Sequence, residues 1–120
     1  MQKNTVVLGA SENTERYSNM AVKKLVANKH PVTAIGNKDG IINNIKIIKG
    51  SPLINEVDTV TLYLNPENQK PYYNYILSLN PKRLIFNPGT ENEELDQLAT
   101  EKGIATIDAC TLVLLSTNQY

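Results

Sequence analysis

Four stretches dominate the chain: TVVLG at 5–9, PVTAIG at 31–36, VDTVTLYL at 57–64 and RLIFN at 83–87, with IATID at 104–108 as a fifth. Each is rich in β-branched residues and reads as a nearly continuous apolar run. A strand with one wet face alternates apolar and polar residues, whereas a strand covered on both faces does not. The runs are separated by segments of helical spacing, the pattern of a parallel sheet with helices on both sides. The expected fold is therefore α/β, a Rossmann-like doubly wound, mostly parallel sheet in a single three-layer domain over residues 1–120.

The helices carry their own punctuation. Ser18 can cap a helix whose Ala21, Val22, Leu25 and Val26 form one apolar stripe, ending before Pro31. Asn65 and Pro66 open a second helix, which Pro71 interrupts, so that the regular part starts near Lys70. Thr90 and Glu93 have the spacing of a capping box, Leu95, Leu98 and Ala99 face inward, and Gly103 ends that helix. Asp108 can cap a closing helix. Between the second and third main strands, Gly40, Gly50 and Pro52 leave room for a short edge strand around IKII and a turn of helix.

The 12 basic and 12 acidic side chains cancel, so no global field draws in a polyanion, and nucleic acid is not an expected partner. The apolar stretch of the N-terminus is cut short by Gly9 and Ser11. No run reaches the roughly 18 apolar residues of a membrane span. The single cysteine, Cys110, excludes an internal disulfide and fits a reducing compartment. A cytoplasmic protein with no membrane partner is expected, with Cys110 buried in the core.

In an open α/β sheet, ligands sit beyond the C-terminal ends of the strands. That rule selects Gly9 to Ser18, Gly36 to Asp39, Leu64 to Pro66 and Asn87 to Thr90. The first loop leads from strand to helix, where free N–H groups and the helix dipole favour an anion. Ser11 adds a hydroxyl and Arg16 a forked cation, while Glu12 and Glu15 disfavour a phosphate unless they turn outward. The loop keeps only the first glycine of a dinucleotide fingerprint. After the second strand stand Asn37 and Lys38 where an NAD site carries an acid; a cation there suits a ribose bearing an extra phosphate, and equally an ordinary solvated lysine. Asn87, Pro88 and Gly89 form either a ligand-facing turn or a plain one. Tyr72, Tyr73 and Tyr75 read as helix packing.

Catalytic signals are weaker. The only histidine, His30, stands at a helix end on the side of the sheet away from these loops. No metal-ligand cluster, Walker lysine loop or Cys-His or Ser-His arrangement is apparent.

The stretch LGASENTERYSNMAVKKL resembles the entry motif of the small stand-alone CoA-binding domain family, itself similar to the CoA-binding domain of succinyl-CoA synthetase α subunits. Gly9, Ala10, Ser11, Arg16 and Ser18 match it, and the likeness continues through KGSPLINEVDTVTLYLNPEN, RLIFNPGTENEEL and ATEKGIATIDAC. Asn87 and Gly89 fall where the family commonly has Gln and Gly, and Cys110 where it commonly has Cys. At 35–38 the family often has a Val-Asn-Pro-Lys-like turn; here Ile-Gly-Asn-Lys keeps the lysine and loses the proline. In the synthetase the catalytic histidine belongs to another domain, so the resemblance implies a binding module, not a ligase. It implies coenzyme A or an acyl-CoA as ligand: the diphosphate on the Gly9, Ala10 and Ser11 amides and the Ser18 helix, Arg16 and Lys38 beside phosphates, and Asn37, Leu64, Asn65, Pro66, Asn87, Pro88 and Gly89 along the rest of the path. An NADP-type dinucleotide protein or oxidoreductase, and an interaction module without nucleotide, are the alternatives.

Overall fold

A computed structural model describes residues 2–120. Seven strands form one sheet: β1 (Thr5–Leu8), β2 (Val32–Ile35), β3 (Gly40–Ile42), β4 (Ile45–Ile48), β5 (Thr59–Leu62), β6 (Arg83–Phe86) and β7 (Ala105–Asp108). Their order is β3-β4-β2-β1-β5-β6-β7. All pairings are parallel except β3 with β4. Every residue of β1 (Thr-Val-Val-Leu) and β5 (Thr-Val-Thr-Leu) is buried, as expected of central strands covered on both faces; the buried threonines are accommodated because the Thr5, Thr59 and Thr61 hydroxyls each have a hydrogen-bond partner. The chain winds outward from β1 to β2 and β4, then returns to β5, so the winding reverses beside β1.

Helices α1 (Tyr17–Ala27) and α5 (Thr111–Ser116) cover one face, over a core that includes Val7, Val22, Leu25, Ile47 and Leu115. The other core contains Val6, Leu8, Val60, Leu62, Phe86 and Leu95, with α2 (Pro66–Gln69), α3 (Tyr73–Leu79) and α4 (Glu93–Glu101) on that side. A single 3₁₀ turn, Lys70–Tyr72, joins α2 to α3; it accommodates Pro71, which an uninterrupted α-helix would not. Tyr72, Tyr73 and Tyr75 pack against the core of this face.

Several local expectations are corrected. The N-cap of α1 is Arg16, with no side-chain bond, and Ser18 is buried inside the first turn. The cap of α4 is Asn92, whose Oδ1 accepts the Leu95 N–H at 3.2 Å. Thr90 instead closes the preceding turn, its hydroxyl donating to Asn87 O at 2.8 Å. Asp108 ends β7 and does not cap α5. The expected edge strand forms as β4, but β3 is added to it by a hairpin turning at Asn43 and Asn44, both with positive φ (45° and 69°), a conformation asparagine tolerates. The expected turn of helix before β5 is absent; residues 49–58 form an irregular link. Cys110 is partly buried, at the N-cap of α5.

Candidate functional site

The loop leaving β1 is fastened at its base. The N–H groups of Gly9 and Ala10 both donate to Ile35 O, at 2.8 and 2.9 Å. Gly9 has φ +101°, and a Cβ on it would stand 3.1 Å from the backbone carbon of Tyr63 and 3.2 Å from the Leu64 side chain. Gly36 approaches from the other side: a Cβ there would lie 2.4 Å from Ala10 O. Both glycines are thus required where three strand ends converge. The glycine at 9 serves close packing of the chain against itself, and the two amides next to it are already occupied.

Beyond this base the loop is held by short local bonds. Asn13 N–H donates to Ser11 Oγ at 3.1 Å, Glu15 N–H to Asn13 Oδ1 at 3.0 Å, and from below the buried Asn19 donates to Ser11 O at 3.0 Å. Ser11 therefore keeps its hydroxyl hydrogen to donate, and the Ser11 and Glu12 N–H groups have no partner among the described residues. Ala10, Ser11, Glu12 and Asn13 line one bank of an open cleft of about 230 Å³ whose other bank is Asn37, Lys38 and Asp39. Asp39 pairs with Lys49 at 3.5 Å. Lys38 and Arg16 are exposed, and neither has a carboxylate within 4.0 Å among the described residues. The cleft thus brings together four of the expected residues, Ala10, Ser11, Asn37 and Lys38, while Gly9 belongs to the anchored base of the loop and does not line it.

Arg16 is the N-cap of α1 and is not part of the cleft lining, whereas Leu64 to Pro66 and Asn87 to Gly89 lie to the other side of β1. Leu64 leans over Gly9; Asn65 caps α2, its side chain accepting the Asn68 N–H at 2.9 Å, with Pro66 in the first turn. Asn87 is buried and its side chain is wholly engaged: Nδ2 donates to Thr61 Oγ1 at 2.7 Å and Leu62 O at 2.8 Å, and Oδ1 accepts the Thr111 N–H at 2.9 Å. It caps α5 from a different strand. Pro88 and Gly89 are exposed, with Gly89 at φ +92° and its N–H donating to Glu91. Ser18 does not reach the cleft, being buried under the helix.

Sequence reading missed Gln69. Fully buried, it donates from Nε2 to both Leu64 O and Thr90 O at 2.8 Å, and its Oε1 accepts from Asn92 Nδ2 at 2.8 Å. It ties the loops after β5 and β6 into one rigid wall. A polar residue in the first helical turn after Pro66 carries no mark of this role, because two of its three partners, Thr90 and Asn92, lie over twenty residues away.

At the opposite end of the sheet His30 accepts the Lys3 N–H on Nδ1 at 3.0 Å and its ring lies 4.9 Å from that of Tyr120. Burial first, then the Lys3 charge, hold its pKa below the usual value. Burial pushes the Tyr63 hydroxyl up, with the neighbouring Thr111 and Thr61 hydroxyls opposing. No group of three or more His, Cys, Asp or Glu among the described residues is gathered as a metal site. No helix among them is long and apolar enough to cross a membrane.

A doubly wound sheet with a loop-lined cleft beside its winding reversal defines a Rossmann-like α/β domain. The chain belongs to the CoA binding domain family, whose sequence profile matches residues 3–116. A crystal structure of an uncharacterized protein is 49% identical over 100% of this chain and 99% of that one, with a TM-score of 0.97. A hypothetical protein from Pyrococcus horikoshii OT3 shares the fold at 21% identity, with a TM-score of 0.86 over 97% of this chain and 83% of its own. The fold also recurs in the dinucleotide-forming acetyl-coenzyme A synthetase 1 of Ca. Korarchaeum cryptofilum. There the TM-score is 0.70 at 17% identity, over 90% of this chain and 26% of the synthetase. No curated protein matches the chain.

Proposed function

We propose that this chain binds coenzyme A or an acyl-CoA, as a cytoplasmic binding module, in the cleft between the β1 loop and the turn after β2. The observation that carries this reading is that the Ser11 hydroxyl, the free Ser11 and Glu12 N–H groups and the unpaired Lys38 line or border one cleft, in a chain of the CoA binding domain family. Donors without acceptors facing a cation without a counterion suit a ligand with several phosphate oxygens. The diphosphate would take the Ser11 and Glu12 amides and the Ser11 hydroxyl, with Arg16 at the start of α1 supplying further charge. Lys38 would meet the 3′-phosphate, beside Asn37. The wall built by Leu64 to Pro66 and Asn87 to Gly89, braced by Gln69, would flank the pantetheine arm. Gly9 and Ala10, with Asn19, act from beneath by holding the loop, and Ser18 is a buried part of the helix start.

Titration calorimetry and thermal shift with CoA, acetyl-CoA, dephospho-CoA, NADP, NAD and ADP test the reading. CoA and acetyl-CoA are expected to bind and raise the melting temperature, and dephospho-CoA and NAD to bind more weakly. Selective binding of NADP moves the assignment to a dinucleotide protein, and no binding of any of the six moves it to an interaction module.

A further inference from the structure

The Glu12 carboxylate does not face the cleft as a bare charge. Its Oε2 accepts the N–H of Ile41 at 2.9 Å. Ile41 belongs to β3, the outermost strand, whose only sheet partner is β4. The stem of Glu12 lies directly on Gly40: a Cβ built there would fall 2.3 Å from Cγ and 2.5 Å from Cδ. The contact therefore needs a side chain of glutamate length at 12 and no side chain at 40. It spans from the tip of the β1 loop to the hairpin that follows Lys38, whereas the other bonds of that loop are at its base, within itself, or to Asn19 of the helix it leads into.

Resting on the function proposed above, we infer that Glu12 is a positioning residue for the CoA site. It straps the loop tip to β3 through the Ile41 N–H and so fixes the spacing between the Ser11 donors and Lys38. Without the strap the ligand must itself order the tip, and that ordering is subtracted from the affinity. Charge alone gives the opposite sign, because removing a carboxylate near a diphosphate relieves repulsion. The two effects are separable by substitution: alanine at 12 removes strap and charge together, whereas glutamine removes the charge and retains an oxygen that can accept the Ile41 N–H.

Calorimetric titration with CoA at low ionic strength, on the parent, Glu12→Ala, Glu12→Gln and Gly40→Ala, decides between them. Glu12→Ala is expected to bind about fivefold more weakly, the scale of one net hydrogen bond. Glu12→Gln is expected to bind as the parent does or more tightly. Gly40→Ala, which displaces the stem, is expected to weaken binding like Glu12→Ala and to add little to it in the double variant, as two changes to one contact should. Because Glu12 is exposed, its two variants are expected to melt as the parent does. Binding by Glu12→Ala as tight as the parent's, or equal losses in Glu12→Ala and Glu12→Gln, overturns the strap while the parent's titration leaves the proposed function standing. A parent that takes up no CoA overturns both.

Discussion

Asn87 and Thr111 are joined across the top of the sheet, the side-chain oxygen of the first accepting the backbone N–H of the second at 2.9 Å. The same side chain donates to Thr61 and Leu62, so one buried amide links β5, β6 and the start of α5. Removing it leaves at least two buried backbone groups without partners, each costing about 1–3 kcal/mol. Asn87→Ala is expected to lower stability by about 2–4 kcal/mol in urea denaturation. Asn87→Asp should lose a comparable amount, since a carboxylate oxygen would then face Leu62 O. An unchanged midpoint for both variants would show that the link is dispensable.

Stability should decline on acidification through His30. Its neutral Nδ1 accepts the Lys3 N–H, and burial together with the Lys3 charge disfavours the imidazolium. The folded-state pKa is lowered, so the unfolded chain takes up the proton first. The contribution is complete above the unfolded value near 6.5 and is lost as pH falls below it. A His30→Gln variant is expected to show a flatter dependence of denaturation midpoint on pH between about 7 and 5 than the parent. Parallel curves would assign the acid sensitivity elsewhere.

Ser11→Asp is expected to weaken CoA binding at least about tenfold, roughly 1.4 kcal/mol, by setting a negative charge against phosphate. The unliganded melting temperature should hardly move. An aspartate can accept the Asn13 N–H that Ser11 Oγ now accepts at 3.1 Å, so the loop keeps its local bond. Calorimetry at low salt measures the first effect, and undiminished binding there would move the site away from this loop.

Gly36→Ala should unfold the protein more readily even without ligand. The new methyl would lie 2.4 Å from Ala10 O and 3.0 Å from the Ile47 side chain, and the first of these is backbone held in place by the Ala10 to Ile35 bond. A loss of about 2 kcal/mol or more is expected from denaturation curves, at the upper part of the range for overpacking. A loss under about 0.5 kcal/mol, the scale of an ordinary surface change, would mean that the β1 loop gives way easily.

The sheet is legible because its evidence is local: β1 and β5 are short runs made only of β-branched residues and leucine, the composition of a buried strand. At the edge, the strand around IKII is legible and forms as β4, but β3 is not, since it is only Gly-Ile-Ile and its existence depends on a turn at Asn43–Asn44. Helix caps were misplaced by two residues or more wherever a cap came from a distant strand or a second candidate stood nearby. Asn92 displaced Thr90, and Asn87, not Asp108, supplies the cap of α5. At the cleft, the sequence located Ser11 and Lys38 but put the amides of Gly9 and Ala10 toward a ligand, when both donate to Ile35. That pairing joins residues of two strands, and no spacing rule within the first loop encodes it. From sequence alone Glu12 is only a charge that disfavours a phosphate, for the same reason: its partner, Ile41, lies far along the chain.

The double donation to Ile35 divides the β1 loop into two parts with different histories open to them. Residues 9 and 10 belong to the scaffold, and exchange there disturbs the meeting of three strands. Residues 11 to 15 lie beyond that anchorage, and apart from Glu12, which reaches Ile41 in β3, their side chains bond only within the loop, so they can be exchanged without disturbing the sheet. Descendants of this chain can therefore change what the cleft accepts by rewriting the four positions other than Glu12, and a designer seeking a new anion specificity on this framework would diversify those and leave Glu12 and the pair at 9 and 10 alone.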